Sequence, residues 1–390
     1  MTIQTSPAGR TVRTIEAAPP PARFARGWHC LGLADTFKDG KAHAIEAFGT
    51  KLVVFQGDDG KLNVLNAYCP HMGGDLTHGT VKGNAVACPF HDWRWGGDGK
   101  CAGIPYAKRV PRGARTRAWI TLEENKQLFV WNDPQGAPPP PEMTIPRIEG
   151  AFSDEWSNWT WNSLRVEGSH CREIVDNVVD MAHFFYVHYA LPEYFKNVFE
   201  GHVATQYLNG TTRADAELGF VPGSTDEIAQ RSEAAYYGPS YMIDYLWNTA
   251  AGVTSETVLI NCHYPISNNS FMLQWGAIVK KFPGMSDEES DAVAAQVADA
   301  VGLGFQQDVE IWKNKAPIDN PLLCDQDGPV YQLRRWYQQF YVDAEDVTPE
   351  MTDRFEFEID TSRAVEVWKR EVAENVANGV SFSVIPASLR

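Results

Sequence analysis

Two cysteine–histidine pairs constrain this chain more than any other feature of its sequence. Cys69 and His71 belong to the run Cys-Pro-His, and Cys88 and His91 belong to the run Cys-Pro-Phe-His. Two thiolates and two imidazoles on two loops suit a [2Fe–2S] cluster in which the thiolates bind one iron and the imidazoles bind the other. The alternative is a structural zinc with the same four ligands, although zinc sites usually begin with a closely spaced pair of cysteines.

Charge and cysteine content exclude several classes of protein. The chain has 390 residues, 50 of them acidic and 34 basic, for a net charge of −16. A nucleic-acid or anionic-membrane binder needs the opposite sign, so we expect neither nucleic-acid binding nor membrane insertion. Seven cysteines in a long chain are an odd number, which favours a reducing compartment over a disulfide framework. No segment has the pattern of a secretory signal or a membrane span, so we expect a cytoplasmic location.

Five cysteines lie outside the two pairs. Four occur in apolar or helical contexts, where a small buried packing residue is the default interpretation: Cys30, Cys171, Cys262 and Cys324. The fifth, Cys101, is close to the predicted cluster loops and could support their packing.

Proline-rich segments divide the chain. The sequence predicts a flexible N-terminal arm over residues 1–22, a small all-β domain over 23–135, a proline-rich linker over 136–146 and a larger α+β domain over 147–390. The β domain follows from short apolar runs separated by turn signals, and the overall class is α+β.

A few elements can be placed from local patterns. Residues 51–68 read as a hairpin with its turn at residues 57–60, and residues 171–189 have the length and apolar pattern of one helix. Ser286 and Glu289 form a capping box that opens a long helix, weakened by two glycines.

A second donor set lies in the larger domain. Asp180, His183 and His188 fall within nine residues of one another, and two histidines with one carboxylate are typical of a mononuclear ferrous site. The two histidines are five residues apart, so both can reach one metal only if the helix bulges or ends between them. Asp180 is better placed to bond an imidazole, so the third ligand should come from the long helix. Asp308 is the candidate there, since Glu310 points elsewhere and is expected to face solvent.

With both donor sets in place, the chain resembles the oxygenase components of Rieske non-heme iron oxygenases. The patterns CPH…CPFH and D-x₂-H-x₄-H occur in that family's order and spacing. Longer runs, among them SHCREIVDNVVDMAHFFYVHY, INCHYPISNN and QQDVEIWKNKAPIDNPLL, are similar to one branch, the 3-ketosteroid 9α-monooxygenases (9α-hydroxylases).

The resemblance implies a fold and a set of ligands. The fold is an all-β Rieske [2Fe–2S] domain followed by a larger helix-grip (START-like) catalytic domain with an antiparallel sheet. Asp180 would bridge a cluster histidine of one subunit to an iron-ligand histidine of its neighbour. The implied cluster ligands are Cys69, His71, Cys88 and His91, and those of the mononuclear iron are His183, His188 and Asp308, with Asn177 near that iron.

The resemblance also implies an activity and partners. The chain would use O₂ to hydroxylate C9 of a 3-keto-4-ene steroid of the androstenedione or androstadienedione type, which leads to ring B opening in steroid degradation. A separate NADH-dependent reductase with FAD and a [2Fe–2S] cluster would supply electrons to a homotrimer. The expected substrate contacts, mostly apolar as a fused-ring substrate requires, are Val178, Gln206, Met242, Asn261, Phe305 and Trp312.

Two other functions remain open at this point. Another Rieske oxygenase, such as a sterol desaturase or an O-demethylase, would use the same scaffold, because function depends on the pocket rather than the fold. A non-catalytic electron-transfer or sterol-binding protein would lack the mononuclear iron.

Overall fold

The computed structural model describes residues 21–217 and 227–383, together with residues 4, 5, 11, 12, 15 and 19. The arm predicted over residues 1–22 therefore lies almost entirely outside the described residues. The strands of the N-terminal region are β1 (Gln4–Thr5), β2 (Thr11–Val12), β3 (Gly27–Leu33), β4 (His43–Ala47), β5 (Thr50–Gln56), β6 (Leu62–Asn66), β7 (Thr80–Lys82), β8 (Ala85–Ala87), β9 (Arg94–Gly96), β10 (Cys101–Gly103), β11 (Ala118–Trp119), β12 (Thr121–Glu124) and β13 (Gln127–Asn132).

Three small antiparallel sheets build this region, and β1 and β2 pair as a separate two-stranded sheet. Their strand orders are β11-β6-β5-β4, β12-β13-β3 and β10-β9-β8-β7. The predicted hairpin is confirmed, because β5 and β6 pair from Leu52–Asn66 to Gln56–Leu62 and Gly60 takes the positive φ of +79° that its turn requires. One cysteine–histidine pair lies on the loop from β6 of the first sheet to β7 of the third, and the other lies between β8 and β9 of the third.

The C-terminal region combines one large sheet with helices. Its strands are β14 (Thr160–Glu167), β15 (Ala190–Glu200), β16 (Val203–Thr212), β17 (Ala216–Glu217), β18 (Ala229–Tyr237), β19 (Tyr241–Ala250), β20 (Val253–Ser267), β21 (Ser270–Val279), β22 (Phe355–Glu358) and β23 (Phe382–Ser383). Its helices are α1 (Arg172–Asp176), α2 (Met181–Tyr186), α3 (Asp287–Asn314), α4 (Val330–Gln338), α5 (Pro349–Thr352) and α6 (Ser362–Ala377).

The long helix α3 packs against the large sheet. Its eight antiparallel strands run in the order β14-β21-β20-β19-β18-β16-β15-β22, and α3 packs against β14 and β21. The predicted capping box is present, since the Ser286 hydroxyl accepts from the Glu289 N–H and the Glu289 carboxylate accepts from the Ser286 N–H. The predicted α+β class, with a small all-β part before a helix-grip sheet, is confirmed.

The two faces of the large sheet pack against different parts of the chain. Side chains alternate between faces along each strand. On β19, Met242 belongs to the apolar cluster beneath α3. We call this face of the sheet the front. Ile243, one residue later, packs at the back with Trp28 and Trp131 of the N-terminal region. The N-terminal region therefore sits on the back of the sheet, and the helices sit on its front.

The single helix predicted over residues 171–189 is wrong. The chain forms the short helix α1, a 3₁₀ turn over residues 177–179, and then the separate helix α2. The break falls at Asp180, whose backbone is extended and whose carboxylate caps α2 by accepting from the His183 N–H at 3.2 Å. An N-cap residue competes with helix continuation, and the apolar pattern on either side does not reveal it.

Candidate functional site: two donor sets

Two similar turns present the first donor set. After β6, the Gly73 N–H donates to the Cys69 carbonyl at 2.8 Å and closes the first turn. After β8, the Asp92 N–H donates to the Cys88 carbonyl at 2.9 Å and closes the second. Each turn therefore places a cysteine at its start and a histidine two or three residues later. The His71 and His91 rings meet edge to face, with centroids 4.8 Å apart.

Neighbouring residues prepare this site for a buried thiolate pair. Both cysteines are buried, and the Trp95 indole N–H donates to Cys69 Sγ at 3.3 Å. Gly74 leaves room for the second thiol, because a Cβ there would lie 2.6 Å from Cys88 Sγ. Burial raises the pKa of the Cys69 thiol, so its thiolate needs a compensating positive charge such as iron. His91 Nδ1 is buried without a hydrogen-bond partner, as expected of an atom that binds a group beyond the polypeptide.

The pairing of these four donors argues against zinc. Each turn holds one cysteine and one histidine, whereas zinc sites usually begin with two closely spaced cysteines.

The second donor set is the compact one. His183 on α2, His188 beyond the end of α2 and Asp308 on α3 place their ligand atoms within 4.8 Å of one another. His188 Nε2 lies 3.4 Å from Asp308 Oδ2, and the carboxylate is only 7% exposed. Helix α2 ends at Tyr186, so the expectation that a helix must end between the two histidines is confirmed.

Local contacts favour the metal-binding form of the His183 imidazole. His183 Nδ1 hydrogen-bonds to the Asp180 main-chain carbonyl, which leaves Nε2 to face the other two ligands. Burial lowers the pKa of His183, and the charge of His188 lowers it further, which favours the neutral, metal-binding form.

Gly302 of α3 makes room for a ring, which the sequence did not reveal. A Cβ at Gly302 would lie 2.8 Å from the Trp275 ring, which is too close, whereas one at Gly304 would make ordinary contact 3.5 Å from His188 Nδ1. The sequence indicates that both glycines weaken the helix, but Gly302 lies where a bulky ring approaches the backbone closely.

Asp180 and Asn177 lie next to this donor set without joining it. The Asp180 side chain is 51% exposed and points its carboxylate to the surface, 3.9 Å from His183 Nδ1. Asn177 is half-buried in the 3₁₀ turn before Asp180, and its proximity to the iron stays a prediction. Glu310 is exposed on α3, as expected.

The predicted substrate contacts gather on the front of the sheet. Met242 pairs with Asn261 across β19 and β20, and Asn261 pairs with Trp275 of β21, which contacts Phe305 at 5.4 Å between centroids. Gln206 lies on β16 at 4% exposure. One apolar cluster contains four of the six predicted contacts: Val178, Met242, Phe305 and Trp312.

A buried carboxyl on the same face was missed. Asp244 lies two residues after Met242, so both side chains project to the front of the sheet. The Ser232 hydroxyl donates to Asp244 Oδ1 at 2.7 Å. Burial raises the pKa of Asp244 to about 7, although the Ser232 hydrogen bond opposes this rise.

Asp244 should make stability fall as pH rises. Its pKa is about 7 in the folded chain against 3.8 as the ordinary value, so the folded state binds the extra proton between these pH values. We expect Asp244→Asn, which keeps a polar partner for Ser232, to remove that dependence. We would measure the melting temperatures of both proteins from about pH 4 to about pH 8. They should diverge, and at high pH the variant should melt at the higher temperature. Parallel curves would contradict the prediction.

The remaining cysteines divide as expected except for one. Cys30, Cys171 and Cys262 are buried and Cys101 is half-buried, packed beside the cluster loops. Cys324 is exposed, so its interpretation as a buried packing residue is wrong. It lies in the loop after α3, where the apolar letters around it do not belong to a helix or strand.

Comparisons with known proteins define the class and then the family. Residues 27–114 match the Rieske [2Fe-2S] domain, and residues 130–341 match the 3-ketosteroid 9alpha-hydroxylase C-terminal domain. The fold is that of Rieske oxygenases: apo dicamba monooxygenase superposes with a TM-score of 0.63 at 16% identity, over 82% of this chain and 98% of that chain.

Sequence relatives are closer. The chain is 67% identical to the oxygenase component of a 3-ketosteroid-9-alpha-monooxygenase from Rhodococcus rhodochrous, over 97% of both chains. It is 56% identical to the component of that name from Mycobacterium tuberculosis (strain ATCC 25618 / H37Rv), over 99% of both. The chain belongs to the family of 3-ketosteroid 9α-monooxygenase oxygenase components, within the Rieske non-heme iron oxygenases. It is a monooxygenase component and uses a Rieske [2Fe–2S] cluster, a mononuclear non-heme iron and O₂. Within the described residues, no helix is long and apolar enough to cross a membrane.

Proposed function

We propose that this chain inserts one oxygen atom of O₂ at C9 of a 3-keto-4-ene steroid of the androstenedione or androstadienedione type. The observation that carries the proposal is the convergence of His183, His188 and Asp308 beside the apolar front of the sheet. The names of relatives that are 56% and 67% identical support the steroid as substrate. Hydroxylation at C9 of a 1,4-diene-3-one leads to opening of ring B, so the reaction belongs to steroid degradation.

The donor sets divide between two metal groups. Cys69, His71, Cys88 and His91 would hold the Rieske cluster. The observations that fit it are the two similar turns, the Trp95 N–H on Cys69 Sγ and the unpartnered His91 Nδ1. The second set would hold the iron, with His183 binding through Nε2. When bound, the iron supplies O₂ activation and the cluster supplies electrons singly.

The chain's own residues prepare the substrate side of the iron site. Phe305 and Trp312 lie three residues before and four after Asp308, so they share its face of α3 and keep bulk water from it. Asn197 Nδ2 donates to the Val178 carbonyl at 2.8 Å, which fixes the main chain of one predicted substrate contact. Asn261 Oδ1 is buried without a partner, so its amide is free to meet a polar atom of the substrate.

Electrons would come from a separate NADH-dependent reductase with FAD and a [2Fe–2S] cluster, and the oxygenase would work as a homotrimer. Two observations support an assembly. The cluster loops and the iron donors lie on opposite sides of the large sheet in one chain. The Asp180 carboxylate faces solvent beside His183, and exposed Met72 and Phe90 flank the cluster histidines. Asp180 would accept a hydrogen bond from the His91 ring of a neighbouring subunit and so join the two sites.

Product analysis tests the substrate assignment. We would incubate the purified chain with androst-4-ene-3,17-dione, the reductase, NADH and ¹⁸O₂, with the Asp308→Ala variant as control. We expect a product heavier by one labelled oxygen atom from the wild type and none from the variant. A product that has lost two hydrogens without gaining oxygen would indicate a desaturase instead. No product from wild type that holds both metals would show that the steroid assignment is wrong, while leaving the oxygenase class intact.

A further inference from the structure

The turn that carries His188 is held at both ends by one residue. It runs from Phe185, in the last turn of α2, to Tyr189, just before β15. The Arg213 side chain donates through Nη1 to the Phe185 carbonyl at 2.7 Å, and the Arg213 main-chain N–H donates to the Tyr189 carbonyl at 3.2 Å. His188 lies between these two carbonyls.

Arg213 is itself held in place directly after the end of β16. Its guanidinium makes two parallel hydrogen bonds to Asp215, from Nε at 2.9 Å and from Nη2 at 2.7 Å. The two side chains are 2% and 0% exposed. Asp215 also accepts from Asn375 Nδ2 at 2.8 Å, and its carbonyl accepts from the Phe382 N–H at 2.8 Å. The fork geometry of arginine lets one guanidinium bind a carboxylate and still reach a helix carbonyl, which a lysine cannot do.

Aromatic rings also pack against both ends of the turn. The Phe185 ring lies between the Arg213 guanidinium, 3.9 Å from its centroid, and the Trp368 ring of α6, stacked at 4.7 Å and 8°. Tyr189 stacks on Phe382 at 5.4 Å.

The backbone of the turn needs such support. Tyr189 has φ of +55°, a left-handed conformation that is uncommon for a bulky residue, and it follows His188 directly. If the turn relaxed, His188 would move with it, and the 3.4 Å approach of its Nε2 to Asp308 would be lost.

We propose that Arg213 is a positioning residue for the mononuclear iron: through Phe185 and Tyr189 it fixes the turn that aims His188 at Asp308. The Asp215 carboxylate orients the guanidinium for this task, and α6 and β23 cover it. This inference rests on the proposed iron site and adds a residue that touches neither metal ligand side chains nor substrate.

Iron binding tests the inference without reference to turnover. Arg213→Lys keeps a positive charge beside Asp215 but loses the bond to the Phe185 carbonyl. We would titrate Fe²⁺ into iron-depleted protein whose cluster spectrum is intact, and record the EPR spectrum of the nitric oxide adduct. We expect the Kd for Fe²⁺ to rise about tenfold or more, with a changed EPR line shape, because residues that orient metal ligands affect affinity on this scale. Ile243→Ala is the matched control, since it opens a cavity on the back of the sheet and lowers stability without touching the turn.

The outcomes separate positioning from simple packing. A raised Kd in Arg213→Lys with an unchanged Kd in Ile243→Ala supports the proposal. An unchanged Kd and line shape in Arg213→Lys, or an equal loss in both variants, overturns it. If Arg213→Lys lacks the cluster spectrum, Asp215→Asn, which weakens the same fork, decides by the same criteria. If wild type binds no iron beyond its cluster, the proposed function has failed before the inference is reached.

Discussion

Asp308→Ala should lose the mononuclear iron and keep the cluster. The carboxylate is buried against His188, so removing it leaves two imidazoles and a cavity where a charged ligand stood. We expect iron content to fall from about three to about two per chain, with turnover reduced by at least about 10³-fold, since the remaining ligand set no longer suits a ferrous ion. Iron analysis, the visible spectrum of the cluster and steroid turnover measure the three quantities.

Glu310→Ala is the matched control for this variant. It removes a carboxylate from the same helix two residues away, but Glu310 is exposed and bonded to Asn314 rather than to the site. We expect wild-type iron content and turnover. Two irons per chain in the wild type, with His183→Ala leaving the iron content unchanged, would contradict the assignment and favour an electron-transfer or sterol-binding protein.

Asp180→Asn should keep both metals and nearly stop turnover. Asparagine caps helices as well as aspartate does, so α2 and the His183 hydrogen bond to residue 180 should persist. The substitution removes the exposed charge that would meet a cluster histidine of another subunit. We expect turnover to fall at least about 10²-fold, as for other residues that orient metal ligands. The measurement is the rate at which oxygen and substrate oxidise the reduced cluster in a single turnover, beside the iron content.

Asp180→Ala distinguishes the effect of the Asp180 charge from the effect of its helix-capping hydrogen bond. This variant also loses the cap, worth about 1 kcal/mol, so it should be less stable than Asp180→Asn but equally inactive. Loss of the cluster spectrum in either variant would show that Asp180 has a structural role instead. Retained single-turnover rates in Asp180→Asn would exclude the carboxylate from the electron path.

The donor residues could be found from sequence because their spacing is local. Cys69 and His71, like Cys88 and His91, lie on single tight turns, so each pair is visible within a few letters. Asp308 is more distant, yet its position between two aromatic residues at helical spacing singled it out from Glu310. The fold of the second region followed from resemblance rather than from pattern.

The rest of the site depends on pairings that no local pattern contains. Asp244 reaches the front of the sheet only because β19 pairs between β18 and β20. The role of Gly302 in α3 depends on the Trp275 ring, which comes from β21. Arg213 and its aromatic partners unite three distant segments in the same way.

The layering of the chain has an electrical consequence. The sheet of β4 to β6 and the large sheet lie between the cluster loops and the donor set of His183, His188 and Asp308, and the facing side chains of the two sheets share one apolar cluster. On the proposed trimer, the cluster of a lone chain would therefore be separated from the iron of that chain by both sheets. An unassembled subunit that accepts an electron would be insulated from its own oxygen-activating site. Assembly would then be required for electrons to reach an iron, and it would limit wasteful reduction of oxygen.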